Sequence, residues 1–220
     1  MTSSLHADDT EASRTKGFTL DEISVEAEQQ NGYRPGALSS TKFTQPVSET
    51  PRTVQVIDKT LLNDQRATTL TEALKNSPGV GTFYAGENGN STTGDSVYMR
   101  GFDSSGSIFV DGVRDLGSIS RDTFNVEQIE VFKGPAGTDY GRTAPSGSIN
   151  LVTKRPHLEE QVAGSISAGS GDRKRVTADW NHVIGDHTAA RLNLLGQDSG
   201  VPGRDHVESN RWGIAPSLGF

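Results

Sequence analysis

From Val162 onward the chain alternates apolar and polar residues one by one, and no other feature limits the possible folds so strongly. Val162, Gly164, Ile166 and Ala168 alternate with polar partners, and Val176, Ala178 and Trp180 alternate with Arg175, Thr177, Asp179 and Asn181. Ala190, Leu192 and Leu194 alternate with Arg191 and Asn193, and Trp212, Ile214, Pro216, Leu218 and Phe220 share one face. A period of two places successive side chains on opposite faces of a β-strand. Short joints at Gly169-Ser170-Gly171-Asp172 and Gly185-Asp186 and a longer polar loop from Asp198 to Asn210 divide this region into four strands. Long alternating strands joined by short and long connections in turn are the signature of a transmembrane β-barrel. Four strands cannot close one, because the smallest such barrels have about eight and an open edge in lipid leaves backbone groups unpaired. A soluble antiparallel sheet with one wet face gives the same periodicity.

The rest of the chain has to supply a core. With 220 residues and 32% hydrophobic content it can bury one good core with a smaller unit attached, and 25 glycines favour turn-rich β structure over a helical bundle. A net charge of -7 excludes nucleic acid as a partner, since phosphate binding needs clustered cations. With no cysteine there is no disulfide, thiolate metal site or cysteine nucleophile. No run of eighteen apolar residues forms a membrane helix, and Met1 to Thr15 lacks the apolar stretch of a signal peptide. For an exported protein this numbering therefore begins at or after processing.

Residues 1–45 are expected to be a flexible polar segment. One island within it, Asp21-Glu22-Ile23-Ser24-Val25-Glu26-Ala27, alternates Ile23, Val25 and Ala27 with polar residues and could add as a strand to a sheet edge. Residues 46–156 change character. Thr53 to Asp58 is β-rich, and Thr69 to Asn76 predicts a helix, with Thr69 and Glu72 at capping-box spacing and Ser77-Pro78-Gly79 as its stop. Further strands are expected at Val97–Arg100, Ser107–Val113 and Gln128–Phe132. The fold class expected is an α+β domain, a mixed β-sheet with short helices, followed over 157–220 by the incomplete start of an antiparallel transmembrane β-barrel.

Three segments resemble the plug domain of TonB-dependent ferric-siderophore receptors. They are Thr50-Pro51-Arg52-Thr53-Val54-Gln55-Val56-Ile57 with the helix ending at Ser77-Pro78-Gly79-Val80; Val97-Tyr98-Met99-Arg100-Gly101-Phe102 leading to Phe109-Val110-Asp111-Gly112-Val113-Arg114; and Val126 to Gly137 with Tyr140-Gly141-Arg142 and Gly147 to Pro156. The stretch from Asp115 to Phe124 is most similar to receptors for catecholate siderophores.

The resemblance implies a monomeric receptor in the outer-membrane lipid of a Gram-negative cell. It binds a ferric siderophore as ligand, needs no cofactor, and is energised by the periplasmic protein TonB with its inner-membrane complex. It places the TonB box at Asp21 to Ala27. It also makes Arg100 and Arg142 anchors that hold the plug to glutamates on the barrel wall, with local pairing to Glu127, Glu130 or Asp111 as the other option. Ligand contact falls to plug loops facing outward, Phe83 to Asp95 and Arg114 to Arg121. Because a ferric catecholate is bulky, aromatic and anionic, Tyr84, Arg114, Ser118 and Arg121 are the candidate contacts; as solvated loop residues, Arg121 would instead pair with Asp122.

No catalytic residue and no metal ligand is expected. Gly134-Pro135-Ala136-Gly137 lacks the Gly-Lys-Ser/Thr ending of a phosphate loop, the five histidines are scattered, and no Gly-x-Ser-x-Gly elbow occurs. The alternatives outside the receptor class are a stand-alone plug-like periplasmic binding module and a hydrolase or lectin-like β domain.

Overall fold

In the computed structural model, residues 33, 37–83, 94–135, 140–141, 145–201 and 204–220 are described, with backbone only at 201 and 204–207. The first strand, β1 (Val54–Asp58), ends on Asp58, whose carboxylate then caps helix α1 (Lys59–Asp64) by accepting the Leu61 N–H at 2.7 Å. Helix α2 (Leu70–Leu74) has the expected capping box, with Thr69 accepting from Glu72 N and Glu72 reaching back to the Thr69 N–H. Strand β2 (Val80–Phe83) follows and pairs with β3 (Ser96–Met99), which in turn pairs with β4 (Phe102–Asp103).

The single strand expected over Ser107–Val113 is a hairpin instead. Strand β5 (Ile108–Val110) turns at Asp111 and Gly112, φ +48° and +81°, into β6 (Val113–Arg114). Two successive left-handed residues make the tight turn that matches strand twist. Strands β7 (Val126–Lys133) and β8 (Gly147–Thr153) complete a five-stranded mixed sheet of order β1-β7-β8-β5-β6, in which only β5 and β8 run parallel. Gly147 must be glycine: at φ +149° any Cβ would run into the Phe132 carbonyl and the Met99 sulfur.

Each face of this sheet has its own cover. On one, Ile57, Ile108, Ile129, Val131, Ile149 and Leu151 pack with Leu62, Leu70, Leu74, Val97 and Met99, all 4% exposed or less. On the other, Phe132 packs with Leu38, Phe43, Val47, Val54, Val56 and Tyr140, so residues 38–47 lie across the sheet as a strap.

The remaining strands, β9 (Gln161–Gly169), β10 (Arg173–Gly185), β11 (Thr188–Asp198) and β14 (Arg211–Gly219), form an antiparallel sheet of order β14-β11-β10-β9. Within the expected loop 198–210, strands β12 (Gly200–Val201) and β13 (Arg204–Glu208) make a small hairpin. The alternation resolves in the inverse sense to a soluble sheet. Val162, Ile166 and Trp212 face outward at 81–86% exposure, whereas Arg175, Asp179, Asn181, Arg191 and Asn193 face inward and are 5% exposed or less. An apolar face this large turned to the outside marks a membrane or partner surface.

Candidate functional site

The inward face of the second sheet, called the wall below, meets the mixed-sheet domain through charges and hydrogen bonds. The turn 170–172 and the loop 198–210 lie at the same end of the wall, where the Gly200 N–H donates to the Gly171 carbonyl at 2.8 Å. At this end Arg175 of β10 grips Asp122 with both guanidinium nitrogens, at 2.6 and 2.8 Å, in the bidentate geometry that suits arginine and carboxylate. Arg211 of β14 adds 3.5 Å to Asp122 and 3.3 Å to Ser120, and Arg173 donates to Thr68 at 2.9 Å. Phe124 lies against the wall where Gly213 leaves room, since a Cβ there would come within 2.7 Å of its ring.

Midway along the strands Asp179 gathers three cations. Arg191 of the neighbouring β11 donates through Nε and Nη2, each at 2.8 Å; Lys154 stands at 3.0 Å and Lys59 of α1 at 3.7 Å. Arg191 also bonds the Arg155 carbonyl at 2.8 Å and lies 3.8 Å from Glu127. One wall carboxylate thus touches both an early helix of the domain and its last residues. Burial pulls the Lys154 ammonium below the usual lysine pKa, against the attraction of Asp179 and with the repulsion of Lys59 and Arg191. Toward the opposite end, Asn181 donates to the His157 and Glu159 carbonyls at 2.7 Å each.

A second constellation shapes the loop 115–121. Arg121, 7% exposed, reaches Asp95 at 3.1 Å, Asp115 at 2.9 Å and the Gly117 carbonyl at 2.9 Å. Its own N–H donates to Asp95, and Asp95 N donates to the Ile119 carbonyl. Burial would raise the Asp115 pKa, yet the Gly117 N–H and the Arg121 guanidinium together hold it below the usual carboxylate value.

The candidate residues are placed as follows. Arg121 is enclosed by carboxylates and pairs with Asp95 and Asp115; Asp122 is taken by the wall, so the Arg121–Asp122 pairing does not occur. Arg114 is exposed, with its Nε on the Gly106 carbonyl at 2.6 Å, and Ser118 is exposed. Arg100 is exposed at φ +53°, and among the described residues no carboxylate pairs with it. It stands near Lys133, whose pKa is lowered first by burial and then by the charge of Arg100. The local partners considered for it are engaged elsewhere: Glu130 with Ser39, Gln128, Tyr140 and Asn150, Asp111 with Thr153, Glu127 near Arg191. Tyr84, Arg142 and Asp21 to Ala27 lie outside the described residues.

Residues 46–148 match the family model of the TonB-dependent Receptor Plug Domain. The chain carries a TonB-dependent receptor plug domain. The plug and the strands after it are similar to the catecholate siderophore receptor Fiu of Escherichia coli K12, 55% identical over 91% of this chain and 26% of that relative. The crystal structure of the ferric-catecholate import receptor Fiu in its closed form matches with a TM-score of 0.80 at 56% identity, over 84% of this chain and 26% of the other. The siderophore receptor PiuA from Acinetobacter baumannii matches at 0.79 and 38% identity, over 86% and 27%. The chain therefore spans about a quarter of the length of these relatives, and its wall strands are the start of an antiparallel receptor barrel beside the plug. These relatives are receptors, not enzymes.

Sequence reasoning missed the plug–wall contacts Asp122–Arg175–Arg211 and Lys154–Asp179–Arg191. The available signal was charge at inward positions: Arg175, Asp179 and Arg191 all fall on the polar phase of the alternation. No comparable signal marked Asp95, which meets Arg121 from 26 residues away.

Proposed function

We propose that this chain is the plug and first wall strands of a TonB-dependent outer-membrane receptor that takes up ferric siderophores, catecholates in particular. One observation supports it above the others: an independently cored domain contacts the charged inner face of a sheet whose outer face is apolar. That is the arrangement of a stopper in a lumen, held by contacts that can be broken without unfolding the wall. The outward residues of β10 from Val176 to Ile184, apolar except for His182 beside Glu160 at 3.0 Å, span about 26 Å along the strand at 3.3 Å per residue. At a tilt near 40° the height of this span is about 20 Å, close to the roughly 25 Å apolar band of outer-membrane barrels.

In this reading the plug occupies 46–156 and the wall 157–220, and the receptor is a monomer that catalyses nothing. The loop 114–121 stands at the same end as the long wall loop, which suits contact with an incoming ligand. Arg114 and Ser118, with Tyr84, supply the cation, hydroxyl and aromatic face that a ferric catecholate requires. Arg121 serves by fixing the loop. Arg100 and Arg142 hold the plug to acidic residues farther round the barrel. The box at Asp21 to Ala27 pairs as a strand with TonB, which transmits the inner-membrane energy.

The test is titration of the purified chain with the TonB C-terminal domain, comparing wild type with Ile23→Pro, which removes a backbone donor at the box. Binding that proline abolishes is expected; binding unchanged by it, or absent in both, overturns the coupling and leaves an uncoupled plug-like module.

A further inference from the structure

Glu130 has 0% exposure, yet no Lys or Arg ion pair is recorded for it among the described residues. Its carboxylate is satisfied by hydrogen bonds: from Ser39 N at 2.6 Å, Ser39 Oγ at 3.1 Å, Gln128 Nε2 at 2.8 Å, Tyr140 Oη at 3.2 Å and Asn150 Nδ2 at 2.9 Å. A buried carboxylate is costly unless every lone pair is met, so losing any one donor matters more than an average hydrogen bond. Two of these donors belong to Ser39, in the strap. The preceding residue, Leu38, is 6% exposed against Phe132 and its neighbours. The strap is therefore pinned to the sheet at one residue, by a polar clasp beside an apolar one.

Asn150 makes the clasp more than a local fastening. Its Nδ2 bonds both Glu130 and, at 3.2 Å, Ser39 Oγ, while its Oδ1 accepts the Gly112 N–H at 2.9 Å. Gly112 is the second residue of the β5–β6 turn, and β6 runs through Arg114 into the loop 115–121. The neighbouring bonds from Thr153 to Asp111 fix the same turn to β8. One amide side chain thus touches the strap, the buried carboxylate and the turn that leads to the outward loop. On this same sheet face Ser148 is fully buried, and among the described residues its Oγ has no hydrogen-bond partner.

We infer that the Glu130–Asn150 pair couples the N-terminal strap to the β5–β6 turn: drawing the strap off the sheet releases the turn, and loosening the turn weakens the strap. Because coupling between two sites is reciprocal, a ligand held by the outward loop and a pull on the N-terminal segment act on the same equilibrium. This rests on the receptor reading for its physiological meaning, but the coupling itself is a property of the chain and is tested without TonB.

The experiment is amide hydrogen exchange on the whole chain, wild type against Ser39→Ala and Ser39→Pro. The first variant removes the hydroxyl and the second both the hydroxyl and the N–H, and neither alters a residue of the sheet. Expected is acceleration of roughly ten- to a hundredfold at residues 38–43, the effect of losing one hydrogen bond to a charged group. The Gly112 amide, which has no direct contact with Ser39, should accelerate with it, while Ile129, Val131 and Ile149 stay protected. Acceleration of the strap with Gly112 unchanged overturns the coupling. So does uniform acceleration across the sheet, or no change in either variant. A further arm adds the TonB C-terminal domain to wild type. If the strap and Gly112 respond together to Ser39 substitution but not to TonB, the coupling stands and the energising step fails.

Discussion

At the scale of the residue, Arg121 shows how a side chain of the type expected at a ligand site can be committed to structure. Its side chain is 6% exposed and that of Asp95 only 1%, so the pair exists away from water. Buried pairs are weak evidence of net stabilisation, but removing one partner leaves an uncompensated charge. Arg121→Ala should therefore destabilise the chain by about 3–5 kcal/mol, read from the denaturant midpoint. Arg121→Lys should recover only part of this, because an ammonium cannot serve Asp95, Asp115 and the Gly117 carbonyl in one planar fork. Asp115 gives the same loop a pH dependence. Its folded pKa lies below the usual 3.8, so the stabilisation is fully present above 3.8 and is lost as pH falls through the lower folded value. The protection of the Gly117 amide, which donates to Asp115 at 2.9 Å, taken relative to its intrinsic exchange rate at each pH, should fall in that acid range and stay constant from pH 5 to 7; a flat protection profile through the acid limb would refute it. The sequence disclosed arginine in an outward loop. It could not disclose the enclosure, because Asp95 and Arg121 meet at the start of α2, where the Thr71 hydroxyl reaches Asp95 at 3.3 Å and the Leu70 N–H bonds the Arg121 carbonyl at 2.9 Å.

Among the elements, α2 was legible and α1 was not, for reasons that lie in the residues. Five residues are too few for a helix stable by propensity, so α2 depends on its cap and its buried face. Both were visible as Thr69 with Glu72 and as Leu70, Ala73 and Leu74. Helix α1 begins on an aspartate that also ends a strand, and its six residues bury only Leu62, so no period could emerge. The β5–β6 hairpin was missed although Asp111-Gly112 between Val110 and Val113 is a strong turn signal; the surrounding apolar run masked it. The long wall strands were plain because their alternation persists over nine residues or more. Thr69→Ala should lower stability by about 1 kcal/mol, the usual worth of an N-cap. Glu72→Ala should exceed it, since Glu72 also accepts from the N–H and hydroxyl of Thr68, at 2.7 and 2.8 Å. Thr68 in turn receives Arg173 of the wall at 2.9 Å. Loss of Glu72 should accordingly speed exchange at the Thr68–Thr69 amides. Equal effects of the two substitutions would mean that the cap alone matters.

For the molecule as a whole, everything depends on which way the wall faces. A soluble sheet buries its apolar face, and the alternation alone allowed that solution. Here the mixed-sheet domain takes the charged face, leaving Val162, Ile166, Trp212, Ile214 and Leu218 outward at 62–86% exposure. No soluble arrangement of these same residues keeps Asp179 with Arg191 and Lys154 while covering that band, unless a second partner or a membrane covers it. These 220 residues contain no cysteine, so in a receptor whose remaining part is also made cysteine-free a single introduced cysteine reports the facing without background. In a complete receptor carrying this sequence and assembled in outer membranes, Ile166→Cys should react with a lipid-soluble maleimide and resist a charged, water-soluble one. Ser167→Cys, the next residue along β9 and on the opposite face, should show the reverse preference. The adjacent pair shares depth and strand, so only the facing differs between them. If both react with the water-soluble reagent, the sheet does not lie in lipid and the stand-alone binding module becomes the better account; if the preferences are exchanged, the plug docks on the wrong face and the contacts of Asp122 and Asp179 with the wall cannot be those of the working receptor.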